Sequence, residues 1–245
     1  MSYFLRMLLL GQLIMPYIIV VLVIQALLRP FFRRQIRTMS SWTLGTVARY
    51  LFWVSGTKVH VKGLENIPKE GCVFMANHQS SLDILLIYGY LKTPMAMIAK
   101  KALAHVILVG SWMKSLGCYL IDTKDPAQAM KLFQKAVRIL KEENYSVLIY
   151  PEGTRSRRAE MLPLKPGSMR LPLMAHCPIV PISISGSWKL MYGHKLLMPK
   201  HVDIVVHPPI STEHCTKDEQ VQLLQRVDTA IKSGLTRENQ EYYLN

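Results

Sequence analysis

No aspartate or glutamate occurs before Glu65. The same stretch is basic, with Arg6, Arg29, Arg33, Arg34, Arg37, Arg49, Lys58 and Lys62, and the whole chain has 30 basic against 16 acidic residues for a formal charge of +14. Such a one-signed balance suits an anionic partner: phospholipid head groups, nucleic acid or a phosphorylated substrate. Cysteine is scarce and scattered. Cys72, Cys118, Cys177 and Cys215 form no C-x-x-C pair, which argues against a disulfide framework and against a zinc site and points to a reducing compartment. The first three lie in apolar runs, where a small buried thiol is ordinary. Internal repeats and low-complexity linkers are also missing. A chain of 245 residues with 50% apolar residues can then bury one good core, so one main domain is expected.

What is present begins with Met7 to Leu28, a run without a charge. As a helix it would be roughly 33 Å long at about 1.5 Å per residue, near the hydrocarbon thickness of a bilayer. It is longer than the apolar part of a signal peptide, and Arg29-Pro30-Phe31-Phe32-Arg33 follows it in place of a small-residue cleavage site. Gln12, Pro16 and Gln25 interrupt it and leave open a kinked or in-plane helix. The arginines after Leu28 place this end on the cytoplasmic face, where anionic lipid attracts them. Trp42 to Val54 is a second amphipathic helix with Leu44, Val47, Leu51 and Val54 on one face. It reads equally as a membrane element and as a helix packed on a soluble domain. Residues 1–56 are thus expected to form a membrane-anchoring helical segment with a basic flank, and residues 57–245 an α/β domain.

From Thr57 onward, apolar strand-like runs alternate with helical patterns. Strands are expected at Lys58–Gly63, Cys72–Ala76, Met95–Ala99, Cys118–Ile121, Val147–Ile149 and Ile179–Ile184, with a weaker one at Val202–His207. Helices are expected at Ile84–Leu91, at Ala104–Lys114 with Gly117 as its stop, and after an Asp125-Pro126 cap with a stripe of Ala129, Leu132, Phe133, Ala136, Ile139 and Leu140. A last one follows a Thr216–Glu219 capping box. The alternation predicts a layered, mostly parallel α/β sheet flanked by helices.

Ligands of such sheets bind at the C-terminal ends of the strands. His78 directly follows one strand, and Asp83 falls in the first turn of the next helix, which Ser80 or Ser81 can cap. A carboxylate brought back to one ring nitrogen would leave the other aimed outward as a general base. Tyr150-Pro151-Glu152-Gly153-Thr154-Arg155-Ser156 follows another strand. Gly153 permits close backbone approach to a ligand, and Arg155 offers a planar fork that suits phosphate. Lys100 and Asp122 end two further strands. Arg157, Arg158, Lys165 and Arg170 extend the positive surface, the first two reading as a solvated or lipid-facing basic face. The other histidines show no ligand spacing, so no metal is expected.

His78-Gln79-Ser80-Ser81-Leu82-Asp83 and Pro151-Glu152-Gly153-Thr154-Arg155-Ser156, in this order and about seventy residues apart, resemble the glycerolipid acyltransferase family, most closely its 1-acylglycerol-3-phosphate branch. Gly117-Cys118-Tyr119-Leu120-Ile121-Asp122, Leu164-Lys165-Pro166-Gly167 and Cys177-Pro178-Ile179-Val180-Pro181 resemble three weaker family blocks. The resemblance covers roughly residues 57 to 210. It implies that His78 deprotonates the acceptor hydroxyl and Asp83 orients it. It implies further that Glu152, Gly153, Thr154 and Arg155, with Lys100 and Lys165, belong to the site for the phosphorylated acceptor. The strand around Pro178–Pro181 would be structural or line the acyl chain. The reaction implied is acyl transfer from an acyl thioester, carried by coenzyme A or acyl carrier protein, to the sn-2 hydroxyl of 1-acylglycerol 3-phosphate, giving phosphatidic acid. No cofactor is implied. Thr123, with Lys124 after it, stands where the family has an arginine, which leaves other lysolipid acceptors open.

A basic adaptor that only binds anionic lipid would explain the charge and the N-terminus. It gives no reason for His78 and Asp83 at helix-start spacing. Nucleic acid is not an expected partner, because no stacking aromatics interleave with the basic residues and no groove-reading motif is visible.

Overall fold

A computed structural model describes residues 3–101, 103, 109–122, 125–192, 195, 196, 200–213, 215 and 217–236. Helix α1 (Tyr3–Leu28) and helix α2 (Arg33–Ser55) precede strand β1 (Lys58–Lys62). There follow β2 (Val73–Ala76), α3 (Asp83–Tyr90), β3 (Met95–Lys100), α4 (Val109–Leu116), β4 (Tyr119–Ile121), α5 (Pro126–Glu142) and β5 (Ser146–Ile149). Then come α6 (Arg170–Ala175), β6 (Ile179–Ser185), a short ribbon of β7 (Met191–Tyr192) and β8 (Lys195–Leu196), β9 (His201–Val206) and α7 (Lys217–Ser233).

Seven strands form one sheet in the order β1-β9-β6-β2-β5-β3-β4. All neighbours are parallel except β6 and β9, so β6, β2, β5, β3 and β4 run one way and β9 and β1 the other. Alternate residues of the central strands serve two cores. Phe74, Leu148, Ile182 and Ile184 pack under α2, α3 and α4, whereas Val73, Met75, Val147 and Ile179 pack under α5, α6 and α7. The central strands are buried on both faces, as sheets sandwiched between helices require. The mostly parallel layered sheet expected from the alternation is the architecture observed.

Local signals account for most element ends. Asp125 lies in extended backbone and its carboxylate accepts the Gln128 N–H at 2.9 Å, with Pro126 in the first turn of α5. Of the expected stripe, Phe133, Ala136, Ile139 and Leu140 are buried, whereas Ala129 and Leu132 are only partly covered. Gly117 takes a left-handed φ of +74° and ends α4. Of the expected helix from Ala104, residues 104–108 lie outside the described residues, as does Thr216 of the expected capping box.

Helix α2 is longer than the expected Trp42–Val54 segment and joins the α/β domain through one face. Ile36, Leu44, Ala48 and Phe52 are buried there, while Val47, Leu51 and Val54 are only partly covered. Gly45 allows the close approach to α3, since a Cβ there would lie 2.5 Å from the Tyr88 carbonyl oxygen. Arg49 donates to the Gly89 carbonyl at 2.8 Å, and Trp112 Nε1–H to that of Ser40 at 3.3 Å. Arg37 is not part of an exposed basic cluster: it pairs with Glu143 and lies over the Tyr145 ring. The outer side of α2 exposes Trp42, Tyr50 and Trp53. Among the described residues no helix is long and apolar enough to cross a membrane. Side chains of residues 3–11 and 13–15 lie outside that description.

Candidate active site

Five parallel strands put the residues that follow β2, β3, β4, β5 and β6 along one edge of the sheet. Asn77, fully buried just after β2, fastens the first of these turns. Its amide donates to the Ile184 carbonyl at 2.9 Å and its oxygen accepts the Ile184 N–H at 2.7 Å. His78 comes next, with a side chain 14% exposed, and its Nδ1 lies 2.8 Å from Asp83 Oδ2. That oxygen also accepts the backbone N–H groups of Gln79 at 2.7 Å and Ser80 at 2.8 Å. Since a carboxylate oxygen surrounded by donors acts as the acceptor, the hydrogen-bond network assigns the ring hydrogen to Nδ1 and leaves Nε2 with a free lone pair.

Neither serine caps α3 as expected. The residue before the helix is Leu82, which makes no side-chain cap, and Ser80 Oγ accepts the Leu82 N–H at 3.3 Å. The stronger acceptor is the Asp83 carboxylate, the first residue of the helix, which folds back over the turn. Ser81 is thereby free to meet Arg155, whose Nη1 donates to its hydroxyl. A second tie joins the two motifs, from the Ser156 N–H to the His78 carbonyl at 2.8 Å.

A family model described as Acyltransferase matches residues 58–185. The chain belongs to the acyltransferase family. It is 29% identical over 193 residues to a 1-acyl-sn-glycerol-3-phosphate acyltransferase of Limnanthes douglasii, covering 78% of this chain and 66% of that one. It is 33% identical over 175 residues to an enzyme of the same name from Saccharomyces cerevisiae, covering 70% of this chain and 58% of that one. The match thus spans two thirds or less of the length of these curated relatives. The crystal structure of the 1-acyl-sn-glycerophosphate (LPA) acyltransferase from Thermotoga maritima superposes with a TM-score of 0.75 at 25% identity over 95% of both chains.

Within this acyltransferase, the residues of the second motif occupy different positions. Glu152 is 2% exposed and turned inward. Its Oε1 accepts the His78 N–H at 2.6 Å and its Oε2 the Leu162 N–H at 2.7 Å. Both oxygens therefore accept from backbone, and the carboxylate ties two loops together beneath the exposed Thr154 and Arg155. Gly153 has φ +69°, and an added Cβ would lie 2.9 Å from Lys165 Nζ, so the lysine stem runs across the glycine. Lys165, Thr154 and Arg155 are exposed beside it. Lys100 ends β3 at the same edge, paired in register with Ile121. Among the described residues no hydrogen bond or ion pair is seen between Lys100 and the histidine. Arg158 is engaged with Glu160 at 2.5 Å. Thr123 and Lys124 lie outside the described residues.

Burial pushes the Glu152 carboxyl up to about 7, opposed by its two backbone donors and aided by the nearby Asp83. A folded-state value above the ordinary 4.5 means that the folded protein holds a proton which the unfolded chain has lost. The contribution of this group to stability is present at low pH and declines as the pH rises from about 4.5 to about 7. Glu152→Gln sets an amide NH₂ against one of the two backbone donors. It is expected to cost about 1–3 kcal/mol. Urea unfolding at pH 5 and pH 7.5 checks this: the gap between parent and variant should narrow at the higher pH, and a pH-independent gap would contradict the assignment.

Two further residues support the histidine without any sequence signal for that role. One is Asn77, which fastens the turn. The other is Tyr150, whose ring stacks on the imidazole with centroids 3.9 Å apart and planes inclined by 19°. Its place directly after a strand was visible in the sequence, but no spacing rule links it to His78.

Proposed function

We propose that this acyltransferase transfers an acyl group from an acyl thioester to the free sn-2 hydroxyl of 1-acylglycerol 3-phosphate. The product would be phosphatidic acid, in phospholipid biosynthesis. The observation that carries the reading is the His78–Asp83 pair at 2.8 Å, with Arg155 joined to the same turn through Ser81. Nε2 takes the proton of the acceptor hydroxyl as its oxygen attacks the thioester carbonyl. The tetrahedral intermediate collapses with cleavage of the C–S bond, and the leaving thiolate recovers the proton from the imidazolium. No serine or cysteine nucleophile is needed, because the substrate brings its own hydroxyl. The relatives from Limnanthes and Saccharomyces and the Thermotoga neighbour, all named for acylation of 1-acylglycerol 3-phosphate, support the same acceptor.

The first 56 residues would hold the site at the cytoplasmic face of the bilayer, against anionic lipid. Phe31 at 80% and Trp53 at 74% are too exposed for a helix pair in water alone, and Arg29, Arg33 and Arg34 stand beside the turn between α1 and α2. The acyl donor would be acyl coenzyme A or an acyl carrier protein; no further cofactor is invoked.

The test is purified protein in mixed micelles with a labelled acyl thioester of either carrier and a panel of lysolipids. Labelled phosphatidic acid is expected. Exclusive acylation of an acceptor without phosphate would overturn the choice of substrate, and lipid binding without any transfer would overturn the reaction. In the same assay Arg155→Ala is expected to raise KM for lysophosphatidic acid about 10–100-fold, the worth of one hydrogen bond to a charged group. Use of an uncharged monoacylglycerol should change little. An unaltered KM for the phosphorylated acceptor would remove Arg155 from that role.

A further inference from the structure

Tyr150 leaves β5 with its ring flat against the imidazole of His78. Its hydroxyl is buried and has no partner among the described residues. A buried phenol ordinarily finds a partner, so whatever the site gains from this residue comes from the ring and not from the hydroxyl. Burial, with the nearby Asp83 carboxylate, holds the phenol far above its ordinary value, so the ring stays neutral.

The imidazole is thus held from two directions. Asp83 meets its edge at Nδ1, and Tyr150 covers one face. An aromatic face carries negative charge density and attracts a cation laid upon it. A general base becomes a cation at the moment of proton transfer, which is when that attraction acts. The other charged groups around the turn act less directly. Glu152 accepts the backbone N–H of His78, and Arg155 is held by the hydroxyl of Ser81, where its positive charge opposes the imidazolium.

We propose that Tyr150 is a positioning residue, which fixes the plane of the His78 ring with Nε2 outward and stabilises its protonated form through the ring face. The proposal rests on the acyl-transfer reading for its kinetic consequence, though not for its effect on the imidazole itself.

Tyr150→Leu keeps an apolar group of similar reach but no π face. It is expected to lower kcat about 3–30-fold with KM for both substrates within about twofold, the range of a desolvated cation–π contact. The acidic limb of kcat/KM against pH should move to lower pH, since a less favoured imidazolium stays neutral further down. Tyr150→Phe should restore kcat to within about threefold of the parent, and its thermal midpoint should not fall, because it removes only an unpartnered hydroxyl. Should the leucine variant fold poorly, phenylalanines of increasing fluorination at position 150 keep the shape and drain the face, and kcat should fall stepwise along the series. A flat series, or a leucine variant with the parent's kcat and acidic limb, would overturn the proposal. So would a phenylalanine variant as slow as the leucine one. The midpoint of the His78 imidazole NMR titration, recorded without substrate, separates the two readings. It should lie at lower pH with leucine than with phenylalanine at position 150, and equal midpoints would refute the stack whatever the assay shows. Absence of acyl transfer in the parent would fall on the proposed function alone.

Discussion

His78→Ala is expected to lower kcat by about 10²–10⁴-fold, the contribution of a positioned general base, while leaving the fold intact. The fold survives because the turn is fastened by groups other than the ring. Asn77 remains bonded to Ile184, the backbone of residue 78 to Glu152 and Ser156, and Asp83 Oδ2 to the N–H groups of Gln79 and Ser80. What goes is the one nitrogen placed to take a proton from the acceptor. Binding and orientation remain, so KM for both substrates should hold within a few-fold. The space left beside Tyr150 opens to solvent, since the side chain is 14% exposed, so added imidazole is expected to recover part of the rate. The check is kcat and KM with lysophosphatidic acid and an acyl thioester, together with a thermal melt. A variant that keeps more than about a tenth of the parent rate would remove the base from this histidine.

Asp83→Asn is the second large effect. An asparagine can place its oxygen where Oδ2 stands and still accept from Nδ1–H and the two backbone donors. Its NH₂ then occupies the site of Oδ1, which is buried and has no partner among the described residues. Ring geometry and tautomer are kept, while the charge that stabilises the imidazolium is lost. A fall in kcat of about 10²–10³-fold is expected with KM little changed, since charge-assisted bonds are roughly twice as strong as neutral ones and the Asp83 side chain is fully buried. The unsatisfied amide is expected to cost about 1–3 kcal/mol of stability as well. Both parts are measurable at once, by steady-state kinetics and urea unfolding. Parent-like kcat would show that the carboxylate only shapes the turn. In Asp83→Ala, by contrast, the backbone donors of Gln79 and Ser80 lose their acceptor, so a fall in stability there would not separate the two roles.

The two motifs owe their legibility to short range. His78 and Asp83 are five residues apart across one strand-to-helix turn, a distance over which backbone geometry alone brings side chains together. The strands and helices were legible for a similar reason: fully buried runs such as Val147–Ile149 and one-sided stripes such as Phe133 to Leu140 imprint their period on the sequence. Capping at Ser80 or Ser81 was misjudged because a carboxylate one turn away is the better acceptor. Glu152 is placed at the acceptor site by the resemblance of its motif to the family's, not by any local physical signal. Nothing local announces that two backbone N–H groups, those of His78 and Leu162, will converge on its oxygens. The Arg37 pairing with Glu143 escaped for the same reason, as it joins residues far apart in the chain.

By itself the sequence determined the α/β class, the alternation of elements and the pairing of a histidine with an aspartate, which follow from periodicity and from residues near one another along the chain, and the family, which follows from the resemblance of its ordered motif blocks. The tertiary structure alone decided the strand order with its reversed β9 and β1, the inward turn of Glu152, the seam of α2 on α3 at Gly45, and the stacking of Tyr150 on His78. These depend on which distant segments the sheet lays side by side, and that is set by the packing of two cores at once, a condition no short stretch of residues expresses.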